Sequence, residues 1–544
     1  MLSLLINNKS VELPSDFSLT MNLKSPIFGD VGSYSYPFRI PNTPRNAIAM
    51  GFRHRVPSIG DPYQVDQGVF RWKGLNLFGG SVKMRILNST SFEGNIFEGS
   101  GDFNYQVKNK SLQNYNFGTQ TFSSENEAMT WINACRSMMY PQRPCAFPQI
   151  FNKSYFEQEP VGSDLLNYNF YWIPDDLIHA IAIGGQRTPI IPMVYLRYVL
   201  DTLIAQMGYL LDDSFFTSNS AFNKLVFYNS VSINNDPNTI FPYNLLNIYY
   251  NNHLPRITLS DFFTGLEAFF NIRFFVNNTT KTIRIIPVKN IVTDLSYIEF
   301  SKNIVSVSTE PQDQILGYTL KLNLDGDDGA LNSQNDYEES FLKNLQGSVD
   351  TVSQLPVWPI ECDLSIRYVI DTQKYYQMQN HQWYQMGSSS LDLLTQYLYR
   401  DGSQNIEIKF SSLIMGDNQN TIFCTCGNQQ KNFMEVTPRL FFATYANYGD
   451  QLIVQGYNYD TSAGSLFFPT ERGLFEKYYK HYLDFRMATK LVKIVKQMEF
   501  SELKDFDFSK KYMVNGIKYL VGSIQVTMKK DRIMPATLEC YPCP

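Results

Sequence analysis

Apolar and polar positions alternate with period two through much of this chain, and helical spacing is confined to a few short runs. Leu4 to Pro14 reads as a strand, a turn at Asn7-Asn8 and a second strand, because asparagine tolerates positive φ. Phe17, Leu19, Met21 and Leu23 alternate with Ser18, Thr20 and Asn22, which predicts a half-buried strand. Pro26, Gly29, Gly32, Pro37 and Pro41 punctuate an extended arm that cannot be helical. Thr43-Pro44 predicts a short helix capped by the threonine and closed at Gly51. Val69 to Trp72, Gly74 to Gly80, Val82 to Leu87 and Ser91 to Gly99 predict consecutive strands with glycine corners, a meander closing a small barrel or sandwich near residue 105.

Residues 106–190 are dominated by Tyr, Asn and Pro and predict an irregular interaction segment. A helix is expected over Trp131 to Met139, and Pro141, Pro144 and Pro148 bar any longer element. Val194, Leu196, Val199, Leu200, Leu203, Ile204 and Met207 share a helical face that Gly208 ends, and Tyr209 to Leu211 leaves as a strand. Ser260 is the expected cap of a second helix bearing Phe262, Phe263, Leu266, Phe269 and Phe270, followed by a hairpin, Ile272 to Val276 and Thr282 to Ile286. Residues 291–470 predict short strands and long loops, with Asp325 to Asp336 a polar loop. Leu474, Tyr478, His481, Tyr482 and Phe485 form a helical stripe, Leu491 to Gln497 alternates as a strand, and Ser501 to Phe508 turns. Tyr512 to Val514, Asn515-Gly516 and Ile517 to Val521 give the strongest hairpin signal, and Ile524 to Met528 and Ala536 to Tyr541 complete a meander.

These elements predict a β-rich α+β, multidomain fold: small β-barrel or sandwich domains at both ends with an α+β helix-plus-hairpin module between. The expected division is 1–105, 106–190, 191–290, 291–470 and 471–544. At 544 residues the chain is too long for one core. Aromatics at 15% are many and charges at 18% few, a balance that favours sheets and contact surfaces over long solvated helices. The formal net charge of −5 argues against a nucleic-acid-binding surface as the main business. No signal peptide and no run of about 18 apolar residues is legible, so no membrane insertion by this chain is expected. Seven scattered cysteines fit a reducing cytoplasm better than a disulfide framework.

Both ends carry a resemblance. Asn7-Asn8, Leu13-Pro14, Asp16-Phe17-Ser18, Gly32-Ser33, Pro37-Phe38, Pro41-Asn42-Thr43 and Asn46 before Gly51-Phe52, in that order, resemble the start of tail hub and baseplate-type structural proteins of tailed bacteriophages of gut Bacteroidota, crAss-like phages among them. The stretches from Leu474 to Phe485, from Asp505 to Val526 and from Pro535 to Tyr541 are similar to that family's closing domain. The resemblance implies a virion tail component assembled in the host cytoplasm, a homo-oligomer ring joined to other phage tail proteins, with DNA passing through.

No catalytic constellation is legible: there is no G-x-S-x-G, P-loop or HExxH spacing, and the expectation is no enzyme activity and no cofactor. Cys424, Cys426, Cys540 and Cys543 look superficially like zinc half-sites, but Cys424-Thr425-Cys426 is too tightly spaced, and whether the four converge is open. Asp175-Asp176, Asp325 to Asp328 and Glu338-Glu339 read as solvated loops, and His481 as a packed or surface residue. Tyr and Trp platforms with these carboxylates leave one alternative, a carbohydrate-binding or glycan-cleaving protein. Lys510-Lys511 and Lys529-Lys530 read as solvent-facing edge protection. The arm is the candidate oligomer interface, through Pro26, Phe28, Tyr34, Tyr36 and Phe38, because its backbone groups lack local partners.

Overall fold

The computed structural model describes residues 1–29, 32–51, 65–88, 90–151, 167–169, 190–233, 247–311, 315–322, 366–369, 374–379, 382–385, 396–400, 402–412, 414–415, 425–426, 438–448, 451–457, 459–466 and 473–543. Asp325 to Asp336, Asp175-Asp176, Glu338-Glu339, Cys424, His54, His179 and His381 lie outside them.

The chain opens with hairpin β1 (Leu2–Ile6) and β2 (Lys9–Val11), and Asn7 and Asn8 take φ of 49° and 62°, as expected of an Asn-rich primed turn. Strand β3 (Ser18–Lys24) buries Leu19, Met21 and Leu23 on one face. The arm contains two short strands, β4 (Ser33–Ser35) and β5 (Phe38–Pro41). Helix α1 (Pro44–Ala49) has the expected cap, the Thr43 hydroxyl accepting from the Asn46 N–H. Next come β6 (Val65–Trp72), β7 (Leu75–Asn88) and β8 (Ser91–Glu98). β7 is one strand of 14 residues where two were expected, because Gly79-Gly80 is no corner. A Cβ at Gly80 would lie 2.0 Å from the Phe97 carbonyl oxygen, so this glycine serves close backbone approach.

Helix α2 (Ser100–Val107) packs under this sheet, and α3 (Glu125–Ala134) starts and ends earlier than expected because Ser124 caps it. The central module follows the sequence closely: α4 (Leu196–Gln206), β9 (Leu210–Asp213), α5 (Ser214–Thr217), α6 (Leu259–Phe270), and hairpin β10 (Ile272–Asn277) and β11 (Thr282–Pro287). The cap of α6 is Thr258 rather than Ser260, its hydroxyl accepting from the Asp261 N–H at 3.0 Å. β9 runs parallel to β11, which places α4 and α6 against one three-stranded sheet. Helix α7 (Val288–Thr293) and strands β12 (Ile298–Glu299) and β13 (Ile304–Thr309) follow.

Near the C-terminus, a π-helical turn leads into α8 (Lys480–Ala488) and β14 (Val492–Lys496). Phe500–Lys504 forms a short helix, α9, where a turn was expected, because Glu499 and Glu502 build a capping box. The strongest hairpin signal holds: β15 (Tyr512–Val514) and β16 (Ile517–Lys529) join through Asn515 and Gly516 at φ 51° and 82°. β16 runs through a bulge between Val521 and Ser523 where two strands were expected. β17 (Ala536–Cys543) is the last strand.

The two ends of the chain meet. All seven residues of β3 pair antiparallel with β16, from Ser18 opposite Lys529 to Lys24 opposite Ser523. The result is a 14-stranded sheet in the order β2-β1-β6-β7-β8-β4-β3-β16-β17-β14-β13, with β5 on β8, and β12 joined to β16 through β15. This path is open, and no barrel closes among the described residues. One core lies on this sheet and draws Leu4, Phe17, Met21 and Phe70 from the start and Ile494, Val526 and Leu538 from the end. A second core gathers α2, α4, α6 and the β10–β11 hairpin around Phe262, Phe269, Phe270 and Leu200. No described helix is long and apolar enough to cross a membrane.

Candidate assembly surface

The arm finds its partners inside the chain, so the premise that its backbone lacked them does not hold. β4 pairs with both β3 and β8, and β5 pairs with β8. The Pro26 carbonyl accepts from Arg273 Nε at 2.7 Å, and the Ile27 carbonyl from the Tyr482 hydroxyl at 3.0 Å. Phe28 stacks on Tyr541 with centroids 4.3 Å apart, and the Arg486 guanidinium lies over both rings. Phe38 is 2% exposed and packs against Phe17 and Phe70. Removing residues 26–41 would therefore gut the sheet core rather than leave a folded monomer.

Of the five expected residues Tyr36 is exposed, Pro26, Phe28 and Tyr34 are half-buried and Phe38 is buried. Tyr36 is 42% exposed and its ring meets that of half-buried Tyr34, centroids 6.0 Å apart. The Tyr34 hydroxyl is held by Asn22 Nδ2 at 3.2 Å, so the pair presents a preorganised aromatic patch.

Beneath the arm lies a carboxyl pair that period-two reading could not find, because its members come from a strand end and a helix start. Asp102 Oδ1 accepts from the Ser81 N–H at 2.9 Å, and Oδ2 from Gln106 Nε2 and Asn278 Nδ2, both at 2.9 Å. Glu98 Oε2 is shielded from solvent and has no hydrogen-bond partner. Burial pushes the Glu98 carboxyl from 4.5 up to about 8, with the Asp102 charge adding to the rise, and burial raises Asp102 as well. Glu98 is thus protonated in the fold at neutral pH, whereas the unfolded chain loses that proton near 4.5. The sign follows: stability is lost as pH rises from about 4.5 toward 8 and is flat beyond. Glu98→Gln, which cannot ionise, should gain roughly 1–3 kcal/mol over the parent at pH 8 and little at pH 4.5. Urea unfolding of both chains across that range checks this, and parallel pH slopes would refute it.

A cleft between the arm, α2 and α6 is lined by Lys24, Pro26, Phe103, Phe263, Glu267 and Phe274. Its volume of about 40 Å³ has room for water rather than a substrate. Of the cysteines singled out, Cys540 and Cys543 are buried in β17, while Cys426 lies in a short strand of a different sheet. Burial pushes both the Cys540 and Cys543 thiols up, against thiolate ligation. Among the described residues no group of three or more His, Cys, Asp or Glu is placed to hold a metal. His481 is exposed on α8, and His253, buried and hydrogen-bonded near Asn229, is pushed down to about 3 by burial. Lys511 is not edge protection: it is 2% exposed and its ammonium donates to the Val292 carbonyl at 2.8 Å.

The two rims of the large sheet differ. At β2 the free edge is capped by α1: Arg45 Nε donates to the Ser10 carbonyl at 3.1 Å, and Asn46 both accepts from the Glu12 N–H at 2.7 Å and donates to its carbonyl at 2.9 Å. At β13 no such cover occurs among the described residues, and five of its six positions are exposed.

The chain matches no protein-family model and no curated protein. Among solved structures it is similar to the 43 kDa tail protein of prophage MuSo2 from Shewanella oneidensis, at 7% identity and a TM-score of 0.34, covering 99% of this chain and 97% of that one. It is also similar to a tail protein from Neisseria meningitidis MC58, at 9% identity and a TM-score of 0.30, covering 99% of this chain and 95% of that one.

Proposed function

We infer that this chain is a structural protein of a tailed-phage virion, a tail hub that forms a homo-oligomeric ring, joins the tail to tail-tip or fibre proteins and lets DNA pass. The observation that carries the reading is the pairing of β3 with β16. The first and last segments, which separately resemble hub proteins, are a single sheet over a single core. Resembling residues that build one folded unit weigh more than the same residues scattered over two. The Tyr34–Tyr36 patch supplies an aromatic contact of the kind enriched at interface centres. The chain carries 46 basic and 51 acidic residues, a balance suited to a passage along which a duplex slides rather than binds.

Mass spectrometry of purified virions should recover peptides of this chain, and a virion map should place it at the tail. The purified chain should bind duplex DNA weakly or not at all at physiological salt. Absence from virions, together with binding or cleavage of polysaccharide by the purified chain, would replace this reading with the carbohydrate-directed one.

A further inference from the structure

We propose that the turn between β10 and β11 is a releasable clasp between the large sheet and the central module, and that the charge on the Glu98–Asp102 pair sets how readily it opens. The turn runs from Asn278 to Lys281, and the Asn278 side chain reaches out of it on several sides. Its Nδ2 donates to Asp102 Oδ2 of α2 at 2.9 Å and lies 3.3 Å from the Gly79 carbonyl oxygen of β7. Its Oδ1 accepts from the Tyr209 hydroxyl, just ahead of β9, at 3.0 Å. Asp102 passes the grip on to the sheet, because its other oxygen accepts from the Ser81 N–H at 2.9 Å. The base of the hairpin is tied separately: Arg273 Nε donates to the Pro26 carbonyl at 2.7 Å, and Arg284 to the Asp507 carboxylate at 3.0 Å. The tip can therefore lift about a held base, with neither core unfolding.

The carboxyl pair makes the grip conditional. Glu98 ends β8, and Gly99 at φ 53° turns the chain straight into α2, which brings Asp102 beside it. Asp102 accepts from Ser81, Gln106 and Asn278, a set of donors that suits a carboxylate. A backbone hydrogen bond from Gly79 reaches the Glu98 carboxyl, but its Oε2 is shielded and has no partner. A charge on Glu98 would thus face the charge on Asp102 away from water. Asn278 lies on Gly79, the residue that holds Glu98, so lifting the turn lets water reach that carboxyl. From the module, Lys281 attracts Asp102, and its ammonium sits 4.9 Å over the Tyr209 ring. Burial pushes the Tyr209 hydroxyl up to about 12, so it stays neutral. On β7, Lys83 is exposed two residues beyond Ser81. In the cleft along α2, Glu267 Oε1 accepts from the Phe274 N–H at 3.0 Å, and Lys24 lies 3.9 Å from Glu539.

Proton linkage gives the direction. With the turn closed, burial holds the Glu98 carboxyl up at about 8, and once the turn lifts it returns toward 4.5. Opening therefore releases a proton. It becomes easier as pH rises from about 4.5 to about 8, by at most about 10-fold per pH unit, and is constant above that. Burial raises Asp102 as well, which adds in the same direction at lower pH.

Native-state hydrogen exchange on the full chain, corrected for the intrinsic rate, reads the opening at Ser81 and Leu210. Their N–H groups are held by Asp102 and by the Lys281 carbonyl. Protection at both should fall about 10- to 100-fold between about pH 6 and about pH 8 and level off above. Urea at about 1 M should leave it unchanged, because a local opening exposes little surface, whereas amides of β16, which exchange by global unfolding, should respond. Glu98→Gln should abolish the pH slope. Asn278→Ala should lower protection about 3- to 10-fold at every pH. Far-UV circular dichroism confirms that each variant is folded. Four results would each overturn the clasp: protection flat with pH in the parent, a slope that survives in Glu98→Gln, protection unchanged in Asn278→Ala, or a urea dependence at Ser81 and Leu210 equal to that of β16. None of them touches the hub reading, on which the clasp does not rest.

Discussion

Gly101→Val should unseat the arm and cost at least about 3 kcal/mol. At the start of α2 the chain passes directly beneath the arm, glycine against glycine. A Cβ built at Gly101 would lie 2.2 Å from the Ser33 carbonyl oxygen and 2.9 Å from its nitrogen; one at Gly32 would lie 2.0 Å from the Gly101 nitrogen. The obstructing atoms are backbone, so no rotamer change relieves the clash, and β4 must leave its place between β3 and β8. Gly101→Ala meets the same Cβ clash and should also destabilise. Gly29→Ala, in the same arm but with nothing within 4 Å, should be nearly silent. Hydrogen exchange over residues 33–41 distinguishes the three: protection should fall sharply in both Gly101 variants and stay at the parent level in Gly29→Ala. Because β4 bears Tyr34, and Tyr36 follows it directly, the Gly101 variants should also lose whatever assembly uses that patch. Equal protection in all three would mean that the arm is not held by this crossing.

Asp213→Ala should destabilise the α4–α5 region by about 3 kcal/mol, whereas replacing Asp213 and Arg197 together by Leu and Met should cost far less. The two side chains are 2% and 9% exposed and form an ion pair within the second core. Asp213 Oδ1 also caps α5, accepting from the Phe216 N–H at 2.8 Å. Removing the carboxylate strands a buried guanidinium over the Phe216 ring, with the partly exposed Asp201 carboxylate, 3.3 Å away, as partial compensation. Removing both charges removes the desolvation cost along with the attraction. Urea denaturation followed by tryptophan fluorescence measures the comparison, and a double variant as unstable as Asp213→Ala would show that the cap, rather than the ion pair, carries the effect.

Local chemistry was legible in the sequence wherever one residue type has one conformational use. Asn7-Asn8 and Asn515-Gly516 adopt the positive φ that hairpin turns demand, and Thr43-Pro44 caps and starts its helix. The helix-plus-hairpin module, with its phenylalanine stripe on α6, stands where the 3.6-residue and two-residue periods put it. Misreadings fell where one residue serves two ends. Gly79-Gly80 could turn a strand or admit a neighbouring backbone, and only the position of Phe97 selects the second. Thr258 and Ser260 are equivalent caps on paper, and the choice between them depends on which N–H the chain direction presents. Lys511 reads as a surface charge until the Val292 carbonyl is brought to it from more than two hundred residues away.

The arm shows the division most plainly. Its glycines and prolines determine that it is extended, and that much is written in the sequence. That its hydrogen bonds are made at home, to β3 and β8, and that Phe28 lies on Tyr541, depend on the two ends of the chain meeting. Strand alternation records which face of β3 is buried, but not which strand lies beside it, because an antiparallel ladder is made by backbone groups that every residue but proline carries alike. The pairing of Ser18–Lys24 with Ser523–Lys529, the raised carboxyl of Glu98 and the difference between a rim capped at β2 and an exposed one at β13, uncovered among the described residues, therefore belong to the tertiary structure alone.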